Sequence, residues 1–313
     1  MVGTLALIIG LSTTVFAVVL SLFSTFSFIT LGILVVAFNI FQWLISPYII
    51  DALYRTRELK QDENPKLHEV VDELSRKSGI KTPRLMLAQI PIPNAFAYGS
   101  PIAGNRVAVT NGLLTTLDQG EVEAVVGHEL GHLKHRDVQI MMFVSLLPAL
   151  FYFLGYSFML SSYGNQKQQG GNGALLGIGF MAFSWILNMF ILYLSRLREY
   201  YADRHSAFIV DSGSQKLSTG LAKIVQATKN MSKNKKQNQN LHGFKALFIA
   251  DPDRAQIDSA DISTMSHTGE EKLVQEILSR KITAMDRLME ILSTHPNMVK
   301  RLRALKELES SAQ

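Results

Sequence analysis

Cysteine is absent from the 313 residues, which excludes disulfide frameworks, cysteine nucleophiles, thiolate-zinc ribbons and iron–sulfur ligation. Any metal must therefore be held by histidine and carboxylate. Charge is scarce as well, with 18% of residues Asp, Glu, Lys or Arg against 47% hydrophobic. The scarcity is local: Met1 to Ile50 contains no Asp, Glu, Lys, Arg or His, and from Val138 to Leu194 the sole charge is Lys167. Such a composition excludes a purely soluble chain and a disordered one. The formal charge of +5 fits basic residues retained on the cytoplasmic side of a bilayer. No nucleic-acid-binding motif accompanies it, so no nucleic acid is expected as partner.

The apolar runs are long enough to cross a membrane, which takes about 20 helical residues. A single helix over the first fifty residues would be about 75 Å long, so Ser24, Thr25 and Ser27 are read as a turn between Val2–Phe23 and Phe28–Ile50. The stretch lacks a basic n-region and exceeds the length of a signal peptide's apolar core, so it is expected to stay attached. The polar stretch Ser161 to Asn172 divides the second region into Val138–Leu160 and Leu175–Leu194. Four transmembrane helices in two hairpins result. Arg55, Arg57, Lys60, Lys134, Arg136, Arg196 and Arg198 flank these hairpins, which places the soluble mass in the cytoplasm.

The fold expected is mainly α with a small α+β catalytic unit. Its divisions are an N-terminal hairpin (1–50), a first soluble part (51–137), a second hairpin (138–194) and a second soluble part (195–313). In the first soluble part, Pro65 to Ser78 reads as an amphipathic helix, and Arg84 to Ala88 and Arg106 to Thr110 read as strands. Asp118 with Glu121 three residues later is a capping-box pattern that starts a further helix. Lys229 to Asn240 reads as a solvated basic loop, and Leu273 to Leu308 returns to helical periodicity.

The helix begun at Asp118 carries His128-Glu129-Leu130-Gly131-His132. Two histidines at i and i+4 share a helix face and reach one ion, with the intervening glutamate beside them. A zinc hydrolase site keeps three protein ligands, and Glu199 and Asp203, one turn apart, are the carboxylates downstream. His132 stands six residues before Val138 and Glu199 five after Leu194, so a hairpin carries both to about 8 Å beyond the membrane edge. On this reading His128, His132 and Glu199 hold one zinc ion per subunit, and Glu129 is the general base of amide hydrolysis. Asp137 and Asp203 are candidates to accept from the ligands' second ring nitrogens, or else ordinary helix charges. His295, before a proline, reads as a helix-end residue unless it lies close to the metal.

Beyond these residues, Pro93 to Gly99, Val107 to Thr110, Arg198-Glu199-Tyr200, Ala202-Asp203, Ser293-Thr294-His295-Pro296 and Arg301 form a combination that resembles HtpX-type membrane-integral zinc endopeptidases. These are gluzincins related to the CAAX prenyl proteases. The resemblance covers nearly the whole chain. It implies that Asn94, Ala95, Phe96 and Ala97 form an edge strand to which a polypeptide substrate adds, that His295 approaches the oxyanion, and that Arg301 ties the C-terminal helix to the catalytic core. A hairpin strand without a substrate role is the alternative for Asn94 to Ala97.

The activity so implied is cleavage of damaged or misassembled membrane proteins in a multi-pass protein of the cell membrane. The partners are then the lipid bilayer and polypeptide substrates. Two other functions are compatible with the sequence: processing of prenylated CAAX-type C-termini, and metal binding without catalysis. The apolar runs carry little polarity beyond Asn39, Gln42, Gln139 and Asn188, which disfavours transport.

Overall fold

A computed structural model of the chain describes residues 28–164, 170–233 and 270–312. It is mainly helical with one small sheet, and it divides into two compact units. One comprises the described residues of Met1–Leu44 together with Gln139–Ser195, and the other Ile45–Val138 with Arg196–Gln313.

Three helices among the described residues are long and apolar enough to cross a membrane: Ile33–Tyr54, Asp137–Met159 and Gly173–Ile209. They belong to α1 (Phe28–Tyr54), α5 (Asp137–Gly164) and α6 (Gly170–Ile209). The expected span Val2–Phe23 lies outside the described residues. Within the first unit α5 and α6 approach through glycine. A Cβ on Gly155 would stand 2.6 Å from Gly177 O, and one on Gly177 would stand 2.7 Å from Gly155 O. Close backbone approach at small residues is how apolar helices associate where no hydrophobic effect drives them. Ser184 Oγ adds a hydrogen bond of 2.7 Å to the carbonyl of Pro148, beside the break that proline makes in the helical ladder. Helix α6 does not stop where its apolar run stops at Leu194, but continues through Glu199 and Asp203 to Ile209.

The second unit holds the four-stranded sheet: β1 (Thr56–Glu58), β2 (Arg84–Ala88), β3 (Ala95–Ser100) and β4 (Gly104–Thr110), in the order β1-β2-β4-β3. The strand β2 runs parallel to β4, while β1 and β3 pair antiparallel with β2 and β4. A short loop closed by Gly104 at φ +72° joins β3 to β4, a backbone that favours glycine. Helix α2 (Pro65–Ser78) starts at an Asn64 cap and ends at left-handed Gly79. Helix α3 (Asn111–Thr116) leads to α4 (Gln119–Lys134), which begins with the capping box of Asp118 and Glu121. Val71 and Leu74 of α2, Leu85 and Leu87 of β2, Val107 and Val109 of β4, and Val125, Val126 and Leu130 of α4 form the core.

Helix α7 (Gly213–Lys233) buries Leu217, Leu221, Ile224 and Val225, and α8 (Glu270–Ser279), α9 (Ala284–Ile291) and α10 (Met298–Ala312) follow. The basic run expected as a loop from Lys229 begins inside α7, where Lys229 is buried, because the apolar face of that helix carries on past it. Its residues from 234 onward lie outside the described residues.

The glycine crossing yields a prediction. Gly155→Leu forces α5 and α6 apart and is expected to destabilise the protein by about 1–3 kcal/mol, read as a lower thermal midpoint of the detergent-solubilised protein. An unchanged midpoint would show that the two backbones do not depend on this contact.

Candidate metal centre

Helix α4 places His128, Glu129 and His132 in register because the capping box fixes where its first turn begins. Two glycines on another face, Gly127 and Gly131, admit the second half of α6. A Cβ on Gly131 would lie 3.0 Å from Ala202 Cα and one on Gly127 would lie 3.1 Å from Ser206 Oγ. Ser206 Oγ donates to Ala124 O at 2.6 Å and locks the pair of helices. The result brings Glu199 to the two histidines, with ligand atoms of His128, His132 and Glu199 all within 4.8 Å of one another.

The remaining partners follow from the turn after α4. In an uninterrupted helix a residue at i+5 points well away from residue i. Here Arg136 adopts φ +53°, a left-handed conformation uncommon for a side chain of its size. That turn swings Asp137 back to accept from His132 Nδ1 at 2.6 Å, while Arg198 Nε stands 3.0 Å from the other carboxylate oxygen. His128 Nδ1 stands 2.9 Å from Asp203 Oδ1, an approach out of line for an ideal hydrogen bond. Arg301, 1% exposed, donates to both oxygens of Asp203 at 2.9 and 2.6 Å and lies 3.3 Å from Glu199 Oε2. His295 Nδ1 is 3.2 Å from the same Glu199 oxygen.

Whether these residues suit a divalent metal is decided by the protons. Carboxylates at both Nδ1 atoms draw the ring hydrogens there, so the two Nε2 atoms, 3.2 Å apart, present lone pairs toward each other. Two lone pairs at that distance repel unless a proton or a metal ion lies between them. Two imidazoles on a tetrahedral ion with bonds of about 2.0–2.1 Å would be about 3.3 Å apart. Glu199 oxygens complete the set at 3.8 and 3.6 Å from the two Nε2 atoms. The charges agree: Glu129, Asp137, Glu199 and Asp203 are buried carboxylates, and against them stand the guanidiniums of Arg198 and Arg301. Carboxylates outnumber guanidiniums, and the remaining negative charge is offset by a proton on His132 or by a bound metal ion that replaces it. Donor set and charge both fit a zinc ion.

Each residue expected in the site falls in the same unit. Asn94 is buried, its backbone N–H donates to Thr110 Oγ1 at 2.9 Å, and Ala95, Phe96 and Ala97 open β3. That strand is at the edge of the sheet, paired with β4, and α4 packs against it. Three residues to which the sequence reading gave no role within the site make contacts that support it. Arg198 steadies Asp137. Arg196 Nη1 donates to the carbonyls of Glu290, Ile291 and Ser293 at 2.8, 3.1 and 2.8 Å. Ser78 joins His205 Nε2 at 2.9 Å and fastens α2 to α6. The Arg-Glu pair at 198 and 199 is the only signal in the sequence that would have suggested the first; the other two are contacts across the fold.

With this geometry in place, comparison with known proteins is informative. The model of peptidase family M48 matches residues 61–309. The chain belongs to peptidase family M48. Among curated relatives, a "Protease HtpX homolog" of Thermoplasma acidophilum is 38% identical over 278 residues, covering 87% of this chain and 83% of its own. A second, from Thermoplasma volcanium, is 33% identical over 98% of this chain and 95% of its own. Of solved structures, the crystal structure of S. mikatae Ste24p matches with a TM-score of 0.57 at 17% identity. The match spans 96% of this chain and 64% of that one, a likeness of fold. The M48 chain is therefore a protease with apolar helices of membrane-spanning length and a cluster able to bind a metal ion.

Two outcomes follow from the site. Gly131→Val inserts atoms where α6 backbone stands and is expected to lower bound metal per protein several-fold in a metal assay. Burial works against a charged His132, but the hydrogen bond to Asp137 and the negative charges of Glu199, Glu129 and Asp137 outweigh it and push its pKa up to about 9. A metal must displace that proton, so zinc affinity measured against a chelator should rise by about tenfold per pH unit toward pH 9 and level off above it. A flat profile from pH 6 to 9 would contradict the assignment of His132 as a ligand.

Proposed function

We propose that this M48 protease is a zinc endopeptidase that cuts damaged or misassembled membrane proteins in their cytosolic segments. The observation that carries the reading is the convergence of His128 Nε2, His132 Nε2 and a Glu199 oxygen, with Glu129 buried on the same helix turn. One zinc ion per subunit is the expected occupant, since nitrogen and carboxylate donors in a charge-deficient, partly buried cluster suit it. When bound, zinc supplies Lewis acidity, which polarises a peptide carbonyl and makes water acidic enough to attack near neutral pH.

The chain's own residues do the rest. Glu129 takes a proton from the attacking water and passes it to the leaving amine. Asp137 and Asp203 hold the His132 and His128 rings with their Nε2 atoms turned inward. His295, beside Glu199, stabilises the developing oxyanion, and Arg301 holds α10 against α6 through Asp203. In this reading the substrate adds as an extended strand beside the edge segment Asn94 to Ala97, and main-chain pairing of that kind recognises any sequence.

Four spans in two hairpins, with the catalytic parts 51–137 and 195–313 in the cytoplasm, are supported by the basic residues that flank the apolar runs. The resemblance to HtpX-type enzymes supports a place in stress-related quality control at the cell membrane.

The deciding experiment compares wild type with Glu129→Gln, both purified in detergent. Bound zinc is measured beside cleavage of an unfolded casein-like substrate. Equal zinc in both, with cleavage reduced at least about 100-fold in the variant, is the expected result. Absence of zinc from both proteins, or equal cleavage by both, would overturn the proposal.

A further inference from the structure

Helix α9 is turned inside out relative to an ordinary surface helix. Its two acids, Asp286 and Glu290, are 6% and 7% exposed. Met285, Leu288 and Met289, with Leu292 one turn on, occupy the opposite face at 66, 57, 41 and 59%. A helix packed on a soluble domain shows the reverse pattern. The orientation is fixed by polar contacts. Asp286 closes a capping box with Thr283 and lies 3.6 Å from Arg280, while Glu290 accepts from the backbone N–H of Asn297 at 3.2 Å and from Lys300 Nζ. The apolar side chains are thus held outward by well-made bonds on the inner face. Single exposed hydrophobics are ordinary on any surface, but four on adjoining turns of a short helix form a patch.

The connection of α9 to α6 points to what covers this patch. Arg196 binds the carbonyls of Glu290, Ile291 and Ser293 and so grips the end of α9. Arg196 stands two residues past Leu194, about 3 Å along the helix from the end of the apolar run. The end of α9 is therefore anchored to a residue that directly follows the apolar run of α6 in the same helix. Lys281 precedes α9 and Arg287 lies on it, and both are exposed.

We infer that α9 lies in the membrane interface, its Met285–Leu288–Met289–Leu292 face immersed at the headgroup–acyl boundary and Lys281 and Arg287 directed to anionic phospholipid headgroups. The inference rests on the apolar part of α6 being a bilayer span. It gives the catalytic unit a second hold on the lipid, on the helix that precedes the Ser293–Asn297 connection carrying His295.

The absence of cysteine makes the test clean, because a single introduced cysteine can be labelled in the full-length protein. An environment-sensitive fluorophore is placed in turn at Leu288→Cys, Trp185→Cys and Glu307→Cys, with Met285→Cys as a second position on the same face. Trp185 is exposed on the apolar part of α6 and reports the span, whereas Glu307 is exposed on α10 and reports water. The proteins are reconstituted into liposomes of phosphatidylcholine and phosphatidylglycerol, with and without brominated acyl chains. The expected result is at least about twofold quenching at 185, 288 and 285 and none at 307, with the quenching at 288 weakened when phosphatidylglycerol is omitted. Quenching at 185 with none at 288 or 285 overturns the inference and leaves the span standing, while quenching at none of these positions overturns both. A blue-shifted label at 288 that brominated lipid does not quench means that a second copy or a bound polypeptide covers the face, and this too overturns it.

Discussion

The fold around the site depends on one electrostatic constraint: two imidazole Nε2 atoms face each other 3.2 Å apart, with room for one shared cation, inside a shell of four buried carboxylates and two guanidiniums. Uncompensated buried negative charge is costly, so the shell holds either a proton on His132 or a metal ion in its place. Each neighbouring feature maintains it. The left-handed Arg136 aims Asp137 at His132, Arg301 neutralises Asp203 while leaving one Asp203 oxygen near His128, and Arg198 neutralises Asp137. Without the guanidiniums the carboxylates would repel each other and the histidine rings would lose the partners that fix their tautomers.

The same constraint explains why α6 is one helix through the end of its apolar run. A carboxylate ligand on a loop would move with that loop, whereas Glu199 on a continuous helix is fixed by everything that holds the helix. Gly127 and Gly131 let α4 approach α6 closely, and the Ser206 hydrogen bond to Ala124 O sets their register. Arg196, Arg198, Glu199 and Asp203 lie within two turns, so one stretch of helix supplies a metal-site carboxylate, two second partners and the anchor of α9.

Much of this was legible in the sequence where local rules decide. The i, i+4 histidines, the Asp118 capping box, the helix Pro65–Ser78 and the strand Arg84–Ala88 all depend on neighbours within a few residues, and the structure has them at those positions. What depended on a backbone exception was not legible. Nothing in the residues around Arg136 announces a positive φ, so Asp137 at i+5 remained one candidate among ordinary helix charges until the turn was seen. The run from Leu273 to Leu308 showed helical periodicity, but periodicity says which residues share a face and not whether that face is covered by protein. In α9 the apolar face is turned outward, and only the buried contacts of Asp286 and Glu290 reveal it. Lys229 departs from the expectation in the opposite sense, because a basic composition does not reveal that one of its lysines is buried within a helix.

On the proposed reading, the edge strand and α9 divide the task of choosing a substrate. The residues of β3 are buried except for partial exposure at Ala97, so the strand presents no row of side chains that could read a sequence. Backbone pairing binds any extended polypeptide and discriminates little among sequences. A protease of this kind would degrade intact proteins indiscriminately unless access limited it, and access is set by which chains can bring an unfolded segment to β3. A site whose supporting helix sits in the lipid interface restricts that set to polypeptides held at the same surface. Specificity for damaged membrane proteins then arises from unfolding and location together, without a pocket that reads side chains.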